Sequence, residues 1–362
     1  MKYILAIETS CDETAASIVK FDNRSANILS NIVSSQIELH KKYGGIVPEV
    51  ASRAHLETIN PIIQEALLTA KTDLKQIDYF AVTEKPGLIG SLLIGIQAAK
   101  TLAWTMNKPL IKINHLDGHF WSAFIDQNLF TIHDSQFPIL SLLVSGGHTQ
   151  LILSKKTGKT KTIGETLDDA AGEAFDKAAQ ILGLSYPGGP AISAAAEIAE
   201  QNQDTRYKDT SKLKISNLQK IPKYSIHNTQ YQLPIPMIDS NDFNFSFSGL
   251  KTALLYKYQK LTKKFLPPTK YSLLTTNLAF SFQKSLVDSL VLKTISAAKK
   301  HKPKTITLVG GVAANKYLRE KLKHITHSSL PNTEFLVPDF KYCTDNAAMI
   351  GAAAAIKLAN KK

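Results

Sequence analysis

Apolar and polar positions along this chain follow two patterns. Short runs rich in Ile, Leu, Val and Ala at 3–7, 15–20, 77–83, 109–113, 139–144, 150–154 and 305–309 have the length and content of strands. Longer amphipathic stretches at 55–70, 88–105, 116–125, 167–182, 273–300, 315–325 and 344–358 read as helices, and an Ala-rich stretch at 190–201 adds another. Strands alternating with helices predict an α/β fold.

One device occurs twice. Residues 4–19 read ILAIETSCDETAASIV and residues 139–153 read ILSLLVSGGHTQLIL. Each is a strand, a short polar turn with Ser, and a second strand led by Thr. Each precedes a later strand, glycine loop and helix: FAVTEKPGLIGSLLIG at 80–95 and ITLVGGVAANKYL at 306–318. Ser hydroxyls and backbone N–H groups in such turns can hold a phosphate chain. Two hairpins facing each other predict a duplicated, two-lobed nucleotide clamp. The plain alternative is that apolar hairpins with small turns are common, and the repeat of the whole unit weighs against it.

Composition adds further constraints. The 362 residues suffice for two domains. Lys and Arg total 43 against 30 Asp and Glu, a net charge of +13. This excess points to a polyanionic partner, with a solvated basic surface as the plain alternative. The two cysteines, Cys11 and Cys343, cannot build a disulfide framework and form no Cys-x-x-Cys pair, which suits a reducing compartment. No apolar run reaches the roughly 18 residues of a membrane span. The first apolar run stops at Glu8, too short for a signal peptide, so a cytoplasmic protein with no membrane partner is expected. The segment 201–237 departs from the α/β pattern. It carries Arg206, Lys208, Lys212, Lys214, Lys220 and Lys223 against Asp204 and Asp209, interleaved with Tyr207, Tyr224 and Tyr231. It reads either as a basic insertion suited to phosphate and base contacts or as a solvated linker.

Five constellations carry candidate chemistry. His115 and His119 stand at i and i+4, one face of a helix, a spacing that suits a metal. Leu116 occupies the position where a zinc protease has Glu, which disfavours that class. Asp345, in Cys343-Thr344-Asp345-Asn346, either caps the following helix or joins the two histidines in a two-His, one-carboxylate set for Fe(II) or Zn(II). Val144-Ser145-Gly146-Gly147-His148 is a glycine turn, either a simple hairpin or one whose amides approach an acyl or phosphate oxygen. Asp176 beside Lys177, followed by Gly188 and Gly189, is a ribose site or a surface ion pair and loop. Gly310-Gly311 leading to Asn315 ends a strand where a nucleotide base commonly lies, though it is neither a Walker A loop nor Gly-x-Gly-x-x-Gly. Cys11 adjoins Asp12 and Glu13, acids that raise a thiol pKa, so it reads as a turn residue and not a nucleophile.

Ten strings in order resemble one family across nearly the whole chain: IETSCDETAASI, YGGIVPEVASRAH, PGLIGSLLIG, HLDGH, LLVSGGHTQL, DDAAGEAFDKAA, LGLSYPGGP, FSFSGLKTA, GGVAANKYLR and CTDNAAMIGAA. The family is that of the tRNA N6-adenosine threonylcarbamoyltransferases, in its bacterial form. The resemblance implies an actin-like ATPase fold: a first lobe at 1–115 joined by helix 344–358, and a second lobe at 116–343 with the insertion 201–237. It implies transfer of a threonylcarbamoyl group from threonylcarbamoyl-AMP to N6 of the adenosine beside the anticodon, in tRNAs reading codons that start with A. His115, His119 and Asp345 would bind the metal, Fe(II) or alternatively Zn(II). Val144, Ser145, Gly146, Gly147 and His148 would contact the adenylate; Asp176, Gly189 and Asn315 would hold its adenosine part. Asp12 and Glu13 would form a catalytic acidic loop. The implied partners are tRNA, an inactive actin-like paralogue, a small P-loop ATPase and a separate enzyme that makes the adenylate. Glu84-Lys85 replaces the usual small residue and Gly, and Ala347 the usual Gly after CTDN. A metal peptidase, a small-molecule kinase and a non-catalytic nucleotide-binding partner are the rival classes.

Overall fold

The computed structural model describes residues 1–22, 25–126, 129–131, 134–157, 159–202, 231–263 and 267–359. Most of the basic insertion, 203–230, lies outside the described residues. The first sheet contains β1 (Lys2–Glu8), β2 (Glu13–Phe21), β3 (Ser25–Ser35), β4 (Tyr79–Lys85), β5 (Leu110–Asn114), β6 (Ile125–Asp126) and β7 (Leu129–Thr131), in the order β5-β4-β1-β2-β3-β7-β6. The second contains β8 (Ile139–Val144), β9 (Thr149–Lys156), β10 (Lys159–Glu165), β11 (Thr305–Val309) and β12 (Glu334–Leu336), in the order β10-β9-β8-β11-β12.

Without β6 and β7 the two sheets share one plan. β1, β2 and β3 pair antiparallel, and β4 then β5 add in parallel beside β1. β8, β9 and β10 pair antiparallel, and β11 then β12 add in parallel beside β8. The repeat seen in the two hairpins therefore extends through five strands of each sheet, the duplicated plan of an actin-like fold. The small strands at 125–131 carry the first sheet past residue 115.

Side-chain alternation sorts each central strand between two layers. Leu5, Ile7, Ala16 and Ile18 face α2 (Pro48–Thr69) and α3 (Ile89–Thr105). Ile4, Ala6, Ala15 and Val19 face α10 (Ala347–Ala359). Leu140, Leu142, Ile306 and Leu308 pack with α5 (Ala171–Ile181), α8 (Pro268–His301) and α9 (Lys316–Ser329). Ile139, Leu143, Ile152 and Val309 point the other way, into the same cluster as α10 and α4 (His115–Ser122). One apolar layer is thus shared by both sheets, with α4 and α10 inside it. This is why a motif at 115–119 and another at 343–346 can meet.

Several boundaries differ from the sequence expectation. α10 begins at Ala347, not 344, because the Asn346 side chain accepts from Met349 N at 3.0 Å and caps the helix. α5 begins at Ala171, not 167, because 166–169 are held by another segment: Leu167 N donates to Phe245 O, and Phe247 N to Asp168 Oδ1. The pattern did not reveal β3, β6, β7, β10, β12, α1 (Ile37–Lys41) or α7 (Ser248–Thr262). The helix near 190–201 is α6 (Gly188–Asn202). Among the described residues no helix is long and apolar enough to cross a membrane. Both cysteines are free.

Gly351 lets α10 lie against the first sheet: a Cβ there would sit 2.5 Å from Val19 Cγ2 and 3.5 Å from Ala6 Cβ. Gly351→Val should cost about 1–3 kcal/mol through overpacking, read as a lower denaturant midpoint with an unchanged slope.

Candidate functional site

The first turn of α4 is set by Asn114, whose side chain accepts from Leu116 N at 2.8 Å. His115 and His119 then share a face, ring centroids 4.7 Å apart and nearly perpendicular. Asp345 approaches from the loop before α10. One oxygen, Oδ1, lies 3.4 Å from His115 Nε2 and 3.1 Å from His119 Nε2. Asn346, and not Asp345, caps the helix, so the carboxylate is left for the imidazoles. The potential ligand atoms of the three residues all lie within 4.8 Å of one another. Two imidazoles and a carboxylate converging on one point fit a divalent ion with open positions.

A fourth residue completes the group. Glu8, at the end of β1, is fully buried and takes a hydrogen bond from Ser10 N, a second from the Thr83 hydroxyl, and lies 3.0 Å from His115 Nδ1. The Ser10 hydroxyl is 3.1 Å from the same nitrogen. With Nδ1 occupied in this way, Nε2 is the atom left facing Asp345, the arrangement that orients metal-binding histidines. Burial pulls the His115 pKa down, but the carboxylates of Asp345 and Glu8 outweigh it and hold it well above its usual value. Burial keeps His119 below its usual value, with the Asp345 hydrogen bond opposing. Asp345 is held well below the carboxylate range by the two histidines, against the effect of burial. His119 Nδ1 is buried without a hydrogen-bond partner among the described residues, so Nε2 alone ties that ring to a polar group.

The second lobe contributes the β8–β9 turn. Ser145 N donates to His148 O at 2.8 Å, His148 N to Ser145 Oγ at 3.1 Å, and Gly146 and Gly147 are exposed. Val144 is buried in β8. His148 is lowered by burial and then by His115 and His119, which places the turn within electrostatic reach of the triad. The turn is backed by α5, where Gly172 N donates to Ser145 O. Gly310 has φ 92°, and a Cβ there would lie 2.3 Å from Val144 O, so only glycine allows the β11 loop this close to the turn.

Asp176 does not pair with Lys177. Its Oδ1 accepts from Gly188 N at 2.7 Å, whereas Lys177 bonds Asp169 at 2.6 Å and Glu173 at 2.9 Å. Gly189 faces open space. Asn315 caps α9 by accepting from Leu318 N and donates to Ser193 Oγ at 2.9 Å and Gln283 Oε1 at 2.8 Å, which ties α6, α8 and α9 together. Burial raises Asp176, and Asp12 across the lobes adds to the effect. Burial, Asp345 and Asp12 raise Glu13 well above its usual value. Tyr186 is raised by burial and by Asp12 and Asp176. The acidic turn thus acts electrostatically on Asp176 and Tyr186, and Asp345 acts on Glu13. Burial and Asp12 push the Cys11 thiol up, as its acidic neighbours predict.

The sequence reading missed Glu8, Ser10 and Arg319. Glu8 was visible as the polar residue that ends an apolar strand, but nothing in its spacing linked it to His115. Arg319 donates to Ala313 O and, at 2.8 Å, to Pro338 O and Cys343 Sγ, and stacks 4.1 Å over Phe340. It joins the glycine loop after β11 to the segment that carries Asp345. Glu84 pairs outward with Lys112 at 3.0 Å. The neighbouring loop still closes on the first hairpin, with Leu88 N donating to Ser10 O at 2.8 Å.

The family model for tRNA N6-adenosine threonylcarbamoyltransferase matches residues 27–352. Proteins of that name from Listeria innocua and Thermosipho africanus are 45% and 44% identical, covering 99% of this chain and 92% and 94% of their own. Among solved structures, HypF of T. kodakarensis superposes with TM-score 0.56 over 99% of this chain and 48% of its own, at 11% identity, a likeness of fold alone. The chain belongs to the tRNA N6-adenosine threonylcarbamoyltransferase family.

Proposed function

We propose that this protein transfers a threonylcarbamoyl group from threonylcarbamoyl-AMP to N6 of the adenosine beside the anticodon, in tRNAs that read codons starting with A. The observation that carries the reading is the convergence of His115, His119 and Asp345, from two distant family motifs, beside the Ser145–His148 turn. His115, His119 and Asp345 would hold Fe(II), with Zn(II) as the alternative, and Glu8 would orient His115. When bound, the ion supplies Lewis acidity and charge stabilisation at the donor. The exposed amides of Gly146 and Gly147 are placed to accept the developing negative charge of the acyl or phosphate oxygen. Asp176 and the Gly188–Gly189 turn lie on the side where the adenosine part would sit, with Asn315 fixing the helices around it. The amine attacks the carbamoyl carbon, AMP leaves, and the amine's proton must be taken up. Asp12 and Glu13, in the acidic turn after β1, would take it up; the raised pKa of Glu13 suits a proton acceptor. An inactive actin-like paralogue, a small P-loop ATPase and a separate adenylate-forming enzyme complete the proposed cytoplasmic system.

The direct test mixes protein and partner proteins with unmodified tRNA, threonine, bicarbonate, ATP and the adenylate-forming enzyme, and reads digested nucleosides by mass spectrometry. Threonylcarbamoyl-adenosine should appear with the native protein and vanish with His119→Ala; no product from folded, metal-loaded protein with active partners contradicts the assignment. Metal content of purified His119→Ala, by elemental analysis, should fall to background. Glu8→Gln should keep the fold and weaken metal affinity by about 10–100-fold, the usual cost of losing an orienting carboxylate. Asp176→Ala should raise KM for the adenylate more than it lowers kcat.

A further inference from the structure

The outer face of α7 has no role in the site described above. Between Asp242 and Asp288 the chain contains no acidic residue and seven lysines, although the whole chain holds 30 acids. That acid-free stretch forms α7 and the first half of α8. The buried side of α7 is Leu250 and Leu254, packed into the second-lobe core. The opposite side presents Tyr256, Lys260 and Lys263 at i, i+4 and i+7, so the three share one face. Tyr256 is 66% exposed. Across the hairpin, Tyr271 is 42% exposed and Lys270 is exposed, with the Tyr258 and Tyr271 hydroxyls in contact. Among the described residues none of Lys257, Lys260, Lys263 and Lys270 enters an ion pair, whereas Lys251, at the inner end, approaches Asp169 at 3.8 Å.

The face is continuous with the site. Asp168 holds the start of α7 by accepting from Phe247 N at 2.7 Å and from the hydroxyl of Ser248 at 2.6 Å. Residues 168–169 run directly into α5, whose first turn backs Ser145. From there α7 extends for 15 residues, about 22 Å at 1.5 Å per residue. Unpaired lysines on one face, with an exposed aromatic one turn before them, match the charge of a nucleic-acid backbone and offer a stacking surface. An acidic protein would also meet the charge, but continuity with the adenosine-modifying site favours RNA.

We propose that the outer face of α7, carried by Tyr256 and Lys260 in its C-terminal half and Lys263 at its end, is a docking surface for the phosphate backbone of the substrate tRNA. The inference rests on the proposed transfer to tRNA and names the surface that would hold the acceptor. The test is equilibrium binding of labelled tRNA to the full chain with its partner proteins, by anisotropy over a range of salt concentrations. Melting temperature and adenylate binding are measured alongside. Native protein should bind with a steep salt dependence. Lys260→Ala/Lys263→Ala should weaken binding about tenfold at low salt and flatten the log–log slope by about 1–2, the loss of two phosphate contacts. Tyr256→Ala should weaken binding without changing the slope. Lys75→Ala, on the first lobe, should change neither, and adenylate binding should stay intact throughout. Native-like tRNA binding by the double variant overturns the docking surface and leaves the transferase reading standing. Absence of tRNA binding by the native assembly overturns both.

Discussion

Charge buried between two lobes is the constraint on which the site depends. Glu8 and His119 are fully buried, His115 nearly so, and Asp345 completes the group. Isolated charges in such a place would cost many kcal/mol, so each must find a partner. They do so in series, from Glu8 to His115 to Asp345 to His119. The series crosses the molecule: Glu8 ends a strand of the first sheet, the histidines lie on a helix between the sheets, and Asp345 follows the second-lobe segment held by Arg319. Removing one member strands the others, so the group registers the two lobes as well as forming a site.

The shared apolar layer makes this possible. α4 and α10 are packed by both sheets. α10 can lie close to β1 and β2 because it is rich in Ala and has Gly351 at the contact. The same duplication that gives each lobe its sheet gives each a hairpin turn at the junction: the first ends in Ser10 and the acidic pair, the second in the Ser145–His148 turn.

The fold was largely legible in the sequence because its central strands are buried on both faces and read as unbroken apolar runs. β8 and β11 have the predicted bounds for this reason. The strands that escaped notice are short or mixed in polarity. β10 is an exposed sheet edge of Lys and Thr, and β3 mixes Ser and Asn with its apolar residues. Helix starts were displaced where a side chain made in three dimensions a bond that no local pattern shows, as Asp168 does with Phe247 and Ser248. The histidine pair was legible as an i, i+4 spacing. Its union with Asp345 was not legible from spacing, since 226 residues separate Asp345 from His119, and came from the donor set and the family resemblance. Glu8 was hidden for the same reason: a lone acid ending a strand has no local mark of the imidazole it will meet. The pairing of Lys177 with Asp169 and Glu173, rather than its neighbour Asp176, follows from helix geometry, which turns adjacent residues apart.

The most direct measurement is a crystal structure of the metal-loaded protein with anomalous scattering recorded at the iron edge. The account predicts one peak at bonding distance from His115 Nε2, His119 Nε2 and Asp345 Oδ1, with His115 Nδ1 still on Glu8. A peak elsewhere, or a metal ligated without Asp345, would contradict it.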